Sequence, residues 1–294
     1  MATNITTSAE QNGITAAQMA KAREVDFVNR FTGGSLKPLM EVLGVPRRIP
    51  MMEGSVMYVY KTTGTLQSGA VAEGEVIPLS QYARTRTAAG SITLKKWRKA
   101  STAEAIKKSG YEEAVRETDR KLLSDVQKEV RSDFFTYLTG LQGESVTGGT
   151  LQEVLANSWG KLQALFEDDG VETVHFIHPL TIAGYLATAG ITVQNAFGMN
   201  YVRDFLGLGT VVMNSGIPEG KVYSTAKDNL ILYYLSMAGD IAWGFGLTAD
   251  DSGLIGIKSG YPNEERAQIE SLVMSGIRFL VEYADGVVVG EIEE

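Results

Sequence analysis

A run of apolar residues at helical spacing is the feature that most constrains the fold of this chain. Between Tyr111 and Leu138, apolar side chains recur every three or four positions with charged residues between them, and Gly140 follows at the end. That spacing places the apolar side chains on one face of an α-helix. At 1.5 Å per residue the helix is roughly 40 Å long, more than most helices of globular proteins. We predict that residues 111–139 form a central helix against which the rest of the chain packs.

The composition is that of an ordinary globular protein without cysteine. Of 294 residues, 44% are hydrophobic and 21% are charged, which is enough apolar surface for a full core. A cysteine count of 0 excludes disulfides, thiolate metal sites and cysteine nucleophiles. The N-terminal residues do not show a basic segment followed by an apolar one, and no apolar run reaches the roughly 18 residues that a membrane span needs. We therefore expect a cytoplasmic chain that makes no membrane contact.

Charge is distributed unevenly along the chain. The net charge is −8, but residues 81–131 carry +6, whereas residues 150–249 carry −5 and residues 250–294 carry −7. Opposite patches of this kind can steer and align copies of one protein during association. A basic face that meets only solvent explains the distribution equally well, so charge alone leaves both interpretations open.

The first hundred residues predict an arm followed by a hairpin. Residues 1–50 contain a short helical stretch at 16–25 and then an irregular passage with prolines, which predicts an arm. Residues 54–66 and 91–99 are predicted strands because of their β-branched and aromatic content and their alternation. The polar stretch between them is too long for a tight turn. Since two strands alone bury too little to be stable, this hairpin is expected to lie on another surface.

The remaining elements predict a mixed α+β chain. A capping box at Ser101–Glu104 and a stop at Gly110 predict a short helix at 102–109. After a Gly/Ser/Thr-rich break at 143–150, helices are predicted at 150–167 and at 179–188, with an irregular loop at 190–208. A turn at Asp285-Gly286 between apolar segments predicts a closing β-hairpin. Further strands are predicted at 171–177, 209–214, 221–225 and 230–235.

The familiar catalytic and metal-binding patterns are not found in the sequence. His175 and His178 would lie on opposite faces of a strand, which does not suit a shared metal, so we expect one buried and one exposed ring. Asp168-Asp169 and Asp250-Asp251 lack the spacing of a calcium loop, and Gly253–Gly260 differs from a phosphate-binding loop. We predict no catalytic, cofactor-binding or metal-binding residues, and hence no enzyme.

The order of these elements resembles the major capsid proteins of tailed bacteriophages. The resemblance includes a hairpin tip that reads Glu-Gly-Glu-Val-Ile-Pro (Glu73–Pro78), the long helix, and a C-terminal Ala-Asp-Gly-Val motif (Ala284–Val287). It covers essentially the whole chain and implies the α+β Hong Kong 97-type capsid fold. The implied parts are an N-terminal arm at 1–50, an extended loop at 51–100, a peripheral domain at 101–149 and 251–294 with its spine helix at 111–139, and an axial domain at 150–250.

The resemblance also implies a function. The chain would assemble into the hexamers and pentamers of an icosahedral shell around double-stranded phage DNA, in the bacterial cytoplasm, and would be found in the virion. Portal and scaffolding proteins, in some members a decoration protein, and non-specific contact with the packaged DNA are the implied partners. Two alternatives are an encapsulin-like compartment of the same fold, which would hold a cargo-peptide groove, and an α+β cytoplasmic enzyme.

The resemblance assigns a role to the basic residues of the extended loop, which would lie across the neighbouring subunit. Binding of single-stranded nucleic acid by Lys95–Lys99 is the competing interpretation, but the net charge of −8 argues against it. The candidates for intersubunit contacts are Arg84, Arg86, Lys95, Lys96, Trp97, Arg98 and Lys99.

Two features of related proteins are not expected here. The extended loop begins near residue 54, which leaves no room for a built-in scaffolding segment before the arm, so the scaffold would be cleaved or separate. Some members of the family cross-link a loop lysine to an asparagine of the neighbour, aided by a buried carboxylate. Lys61 and Asn263 would be the candidates, but no motif singles them out, and we expect no cross-link.

Overall fold

A computed structural model describes residues 47–166, 171–188, 191–196, 199–249 and 253–293. The predicted helical stretch at 16–25 and nearly all of the predicted arm lie outside these residues, as do Asp168-Asp169 and Asp250-Asp251. Within the described part of the chain, none of the helices is both long and apolar enough to cross a membrane.

The described residues form the predicted mixture of strands and helices. The strands are β1 (Arg47–Met51), β2 (Val56–Thr65), β3 (Gln81–Ser91), β4 (Lys95–Thr102), β5 (Glu144–Gly148), β6 (Thr173–Ile177), β7 (Gln194–Ala196), β8 (Met199–Val202), β9 (Thr210–Met213), β10 (Lys221–Ala226), β11 (Leu230–Leu235), β12 (Thr248–Ala249), β13 (Ile255–Asn263), β14 (Gln268–Ser275), β15 (Ile277–Val281) and β16 (Val287–Ile292). The helices are α1 (Ala103–Tyr111), α2 (Thr118–Thr139), α3 (Leu151–Leu165), α4 (Pro179–Thr188) and α5 (Asp240–Phe245), with a π-helical segment (Glu112–Glu117) between α1 and α2.

The predicted central helix is confirmed. The π-helical segment and α2 follow one another without a break from Glu112 to Thr139. The apolar stripe faces the protein interior, and its buried members are Val115, Val126, Val130, Phe134 and Leu138. The winding differs from the prediction only at its start, where the chain forms the wider π-helical turn that is often found at functional positions.

Four phenylalanine rings connect the central helix to the sheets. Phe134 and Phe135 come from α2, Phe176 from β6 and Phe279 from β15, and all four are buried. Neighbouring rings are tilted or edge-to-face, with centroids between 5.1 and 5.8 Å apart. Such arrangements add to the free energy gained from apolar burial. The helix therefore serves as the common support for two sheets.

A seven-stranded sheet of order β5-β16-β10-β6-β9-β8-β7 forms the largest layer. Helix α3 covers one face through Val154, Leu155 and Leu162, each with 0% exposure. The strands predicted at 171–177, 209–214 and 221–225 are confirmed in this sheet. However, β5 lies in the predicted break at 143–150, and β7 and β8 lie in the predicted irregular loop at 190–208. β5 pairs with β16, which is distant in sequence, whereas β7 pairs with β8 and β8 with β9. The three strands are only 5, 3 and 4 residues long, so their composition does not distinguish them from a loop.

The hairpin has a different second strand from the predicted one. β2 pairs antiparallel with β3, from Val56 opposite Ser91 to Thr65 opposite Gln81. The strand predicted at 91–99 is instead β4, which pairs with β14 in a four-stranded sheet of order β12-β13-β14-β4. β3 lacks apolar alternation because nearly all of its side chains are exposed on both faces. The hairpin is therefore β2 and β3, with a tip at residues 66–80.

The predicted closing β-hairpin at the C-terminus is wrong. β15 pairs with β11, whereas β16 pairs with β10 and β5 in the seven-stranded sheet. The predicted turn is a short helical turn at Ala284–Gly286 that passes the chain from one sheet to the next. Val281 and Val287 on either side of it are both fully buried. Apolar strands flanking a turn look alike in sequence whether or not they pair with each other.

Candidate functional site

The hairpin of β2 and β3 carries several large apolar side chains that are exposed. At its base, Tyr60 N–H donates to the Glu282 carbonyl at 2.8 Å, and Lys61 Nζ lies 2.8 Å from Asp285 Oδ1. Beyond this point the side chains of β2 are exposed. The tip carries apolar side chains in solvent, with exposures of 78% for Leu66, 91% for Val76, 72% for Ile77 and 92% for Leu79. Exposed apolar groups of this density indicate an interaction surface.

The two predicted arginines of the hairpin lie over tyrosine rings of the paired strand. The guanidinium carbon of Arg84 is 3.9 Å from the Tyr60 ring centroid, and that of Arg86 is 4.5 Å from the Tyr58 centroid. Cation–π contacts at exposed positions contribute about 0.5–1 kcal/mol each. Both arginines remain exposed, so they stiffen the ribbon and also present positive charge on its surface.

The basic residues of β4 divide between the two faces of the strand. Lys95, Trp97 and Lys99 are half-buried and face α2, while Lys96 and Arg98 are exposed. Lys95 Nζ contacts Glu129 Oε1 at 2.8 Å and Asp133 Oδ2 at 2.5 Å, and Trp97 Nε1 donates to Glu129 Oε2 at 2.8 Å. The period of two along a strand produces this division. The seven predicted contact residues therefore do not share one surface.

The ion pairs of Lys95 with Glu129 and Asp133 shift the pKa values of Lys95 and Glu129. Burial opposes the charge on Lys95, but its hydrogen bonds to Asp133 and Glu129 raise the pKa of the ammonium above its usual value. The same ammonium, together with the Trp97 indole, holds the pKa of Glu129 below its usual range. Both shifts favour the charged forms of Lys95 and Glu129, and these charges are compensated inside the chain.

Lys99 makes the most buried ion pair of the region. Its Nζ lies 2.6 Å from Asp119 Oδ1, with side-chain exposures of 14% and 9% for the two residues. The same ammonium donates to the Val115 carbonyl at 2.7 Å and to Thr118 Oγ1 at 2.6 Å. A π-helical segment leaves carbonyl groups without their α-helical partners. Lys99 supplies one replacement donor for the segment Glu112–Glu117.

Ser101 also donates a hydrogen bond to the π-helical segment. It is not the cap of helix α1, so that prediction is wrong. Its Oγ donates to the Ala114 carbonyl at 2.6 Å. Thr102 is the N-cap of α1, since its hydroxyl accepts from Ala105 N–H at 3.3 Å. The capping-box pattern therefore identified the correct helix with a one-residue shift. Lys99 and Ser101 lie two positions apart on β4, so both side chains reach the π-helical segment.

The two residues considered for a cross-link are engaged within the chain. Lys61 forms the ion pair with Asp285, and Asn263 Nδ2 donates to Glu270 Oε1 at 2.9 Å. Glu270 is 2% exposed and also accepts from Tyr261 Oη and Gln268 Nε2 at 3.0 and 2.7 Å. The hydrogen bond from Asn263 is the largest factor that keeps the pKa of Glu270 below its usual value. No local pattern in the sequence indicates this buried carboxylate, and the absence of a cross-link stays a prediction.

The histidines occupy structural positions. His175 is fully buried, with Nδ1 2.7 Å from Ser224 Oγ and Nε2 3.2 Å from the Leu208 carbonyl oxygen. Burial lowers the pKa of His175 to about 4. His178 is half-buried, and its Nδ1 accepts from Leu180 N–H at 3.2 Å. A histidine–serine pair that solvent does not reach cannot meet a substrate, so this pair stabilises the seven-stranded sheet.

The described ranges contain no group of three His, Asp or Glu side chains suited to hold a metal ion. The Lys258-Ser259 pair considered for phosphate lies within β13 rather than in a loop before a helix. There, Ser259 Oγ donates to Asp119 Oδ2 at 3.1 Å. A phosphate-binding loop needs a glycine-rich turn that leads into a helix, and these residues form a strand instead.

Comparison with known proteins identifies the fold. No family model and no curated protein sequence match this chain. The virus-like particle from Pyrococcus furiosus is similar with a TM-score of 0.52 and 15% identity, covering 93% of this chain and 100% of that one. The capsid of a native GTA particle is similar with a TM-score of 0.54 and 9% identity, covering 85% of this chain and 89% of that one. The predicted α+β class is confirmed, and the chain has the Hong Kong 97-type capsid fold.

Proposed function

We propose that this chain is the major capsid protein of a tailed bacteriophage and that it catalyses no reaction. It assembles into the hexamers and pentamers of an icosahedral shell that encloses double-stranded DNA. The observation that carries this proposal, besides the fold, is the hairpin with its apolar tip in solvent. A two-stranded ribbon is marginally stable alone, and apolar tips of this kind gain free energy when a partner covers them.

The proposed division of the chain follows from that contact. Residues 51–100 are the extended loop, of which the projecting part of the β2–β3 hairpin contacts a neighbouring subunit, and residues 1–50 are the arm. The peripheral domain comprises 101–149 and 251–294, and the axial domain comprises 150–250. A projecting hairpin that meets a different surface on the next copy makes a head-to-tail contact, and such contacts close into rings. Hexamers and pentamers are rings of this type.

The seven residues expected at the subunit contact have two proposed roles. Arg84, Arg86, Lys96 and Arg98 have exposed side chains and face an acidic surface of the neighbouring copy. Lys95, Trp97 and Lys99 hold β4 against α2 in each copy, so that the exposed residues are presented in a fixed geometry.

The other proposed partners belong to the assembled particle. Portal and scaffolding proteins take part in assembly in the bacterial cytoplasm, a decoration protein covers the outer surface in some particles of this kind, and the DNA contact is non-specific. The mature location is the virion.

Shortening the hairpin tests the proposal. Replacing residues 66–80 by an Asn-Gly turn keeps β2 paired with β3, because Thr65 lies opposite Gln81. We expect a folded protein with an unchanged circular dichroism spectrum that forms no shells or rings in electron micrographs. A second variant, Val76→Ser with Ile77→Ser and Leu79→Ser, keeps the length of the tip and is expected to lose assembly as well.

Ala70→Ser with Ala72→Ser is the matched control, since it adds hydroxyls to the same tip without removing large apolar groups, and it should form normal shells. Normal shells from both the shortened and the triple-serine variants would contradict the proposal. The contents of wild-type shells separate the phage capsid from the encapsulin-like alternative. Double-stranded DNA supports the first, and a protein cargo supports the second.

A further inference from the structure

A cleft between α2 and the seven-stranded sheet has a lining that suits an anion. Its volume is about 420 Å³, which is within the range of ligand sites. Helix α2 forms one wall, and the other wall is formed by β8, by the start of α4 and by the turn after β9. The hairpin and the basic face of β4 do not contribute to it.

The side chains that line this cleft are basic or neutral. The helix contributes Lys128, Arg131 and Ser132, and the opposite wall contributes Asn200, Asn214 and Ser215. The lining contains no carboxylate. In a chain with a net charge of −8, a cleft with two cations, several hydrogen-bonding groups and no acid is a marked local excess of positive charge.

The carboxylates of the same helix are engaged elsewhere. Glu129 and Asp133 contact Lys95 at 2.8 and 2.5 Å on the side that faces β4. Asp125 lies 2.6 Å from Lys121 one turn earlier. Glu129 and Asp133 therefore lie on the β4 side of helix α2, whereas Lys128 and Arg131 line the cleft.

Burial and ordered donors favour an anion in the cleft. Arg131 is half-buried, and burial lowers the pKa of its guanidinium, although an arginine stays charged at neutral pH. Asn214 Oδ1 accepts from Gly216 N–H at 2.8 Å, which orders the turn, and Asn200 Oδ1 accepts from Asn195 Nδ2 at 2.9 Å. The amide NH₂ group of Asn200 is then the part of that side chain left for a ligand.

We propose that this cleft binds phosphate groups, with Lys128 and Arg131 as the charged contacts and the hydroxyl and amide groups around them as further donors. Guanidinium and ammonium groups are the usual protein partners of phosphate. Two sources supply this chemistry, a nucleic-acid backbone and a small phosphate ion, and the two arms of the test below distinguish them. If the proposed function holds, every copy in the shell presents the cleft, and many weak contacts act together.

The test measures binding of a fluorescent DNA duplex to the full chain by anisotropy over a series of salt concentrations. Lys128→Gln with Arg131→Gln should weaken binding by about tenfold and reduce the salt slope by about 2, since each phosphate contact contributes roughly 1. Lys107→Gln with Lys108→Gln on α1 removes the same charge away from the cleft, and should change affinity by less than about twofold. Arg131→Lys retains the charge and should retain most of the binding.

A second arm uses inorganic phosphate alone and follows the thermal unfolding temperature. Weaker duplex binding in the cleft variant alone supports the nucleic-acid source. Phosphate that stabilises the wild type but not the cleft variant, with duplex binding unchanged, supports a small phosphate ligand and overturns the nucleic-acid source. Equal behaviour of the cleft and control variants in both arms overturns the proposal. Electron microscopy of the cleft variant checks whether it still forms shells. If it does, a loss of phosphate or DNA binding concerns the cleft alone and leaves the proposed shell function untouched.

Discussion

At the scale of single residues, His175 shows how a polar side chain is accommodated at the centre of a sheet. Both ring nitrogens have partners, Ser224 Oγ at 2.7 Å and the Leu208 carbonyl oxygen at 3.2 Å. A neutral imidazole offers one donor and one acceptor, and these two contacts use both. A proton added to the ring would place a positive charge where solvent does not reach it. This explains why burial lowers the pKa of the ring to about 4.

The pKa of His175 predicts a loss of stability in mild acid. The unfolded chain takes up the proton below pH 6.5 and the folded chain only near pH 4, so protonation favours the unfolded state as the pH falls through that window. The free energy of unfolding should decrease by about 2 kcal/mol between pH 7.5 and 5 from this residue alone. Urea denaturation of the wild type and of His175→Asn at both pH values measures the difference.

The control is His178→Asn, because His178 is half-buried and lies outside the sheet interior. That variant should keep the pH dependence of the wild type, whereas His175→Asn should be less stable at neutral pH and lose the histidine contribution to the slope. If the free energy of unfolding changed equally with pH in the wild type and in His175→Asn, His175 would not be the cause of the pH dependence.

At the scale of secondary-structure elements, the contact of β4 with the π-helical segment and the start of α2 combines hydrogen bonds with a buried ion pair. Lys99 and Ser101 donate to the Val115 and Ala114 carbonyls of the π-helical segment, and Lys99 also pairs with Asp119. One feature of the sequence indicates that this part of the helix has a charged partner. Asp119 lies four residues after Val115, on the apolar stripe of the predicted helix, and a charged residue on a buried stripe needs a partner.

Removal of one member of this pair should cost more than removal of both. Asp119→Asn or Lys99→Met alone leaves one buried group without its counter-charge, and we expect a loss of about 3 kcal/mol in the free energy of unfolding. The double variant should lose less than the sum of the two single variants. Lys121→Met is the matched control on the helix surface, since its pair with Asp125 is exposed and contributes less than about 1 kcal/mol. Additive losses in the double variant would contradict the coupling.

Elements with a one-sided apolar pattern could be predicted from the sequence, whereas a strand without such a pattern and the distant partner of a strand could not. The central helix was predicted because its buried face repeats at helical spacing. β3 was missed because nearly all of its side chains are exposed and its stability comes from the ladder to β2 and from tyrosine–arginine contacts. Strand β4 was predicted correctly as an element, but its partner β14 lies far along the chain. The basic residues of the candidate site were therefore identified individually, while their division between two faces was not.

At the scale of the whole molecule, the chain keeps its internal charge contacts separate from its exposed charge. Lys95 and Lys99 are compensated by Glu129, Asp133 and Asp119. Lys96 is exposed, and Arg98 reaches Glu270 only at 3.7 Å, with its side chain 55% exposed. Strand β4 thus has one pair of basic residues that is compensated inside the chain, Lys95 and Lys99, and one pair with exposed side chains, Lys96 and Arg98. The two pairs have the same formal charge. This allows the contributions of charge to folding and to assembly to be measured separately.

Lys96→Gln with Arg98→Gln should reduce shell formation and leave folding intact. Exposed charges contribute little to stability, so the free energy of unfolding should change by less than about 1 kcal/mol, while association steered by opposite charge slows. Lys95→Gln with Lys99→Gln removes the same charge from the inner face and should lower the free energy of unfolding by about 3 kcal/mol or more. Light scattering during assembly at low and high salt, together with urea denaturation, measures both effects. Two results would contradict a role of the exposed face of β4 between subunits. The first is that the Lys96/Arg98 variant is as strongly destabilised as the Lys95/Lys99 variant, and the second is that it assembles at the wild-type rate at low salt.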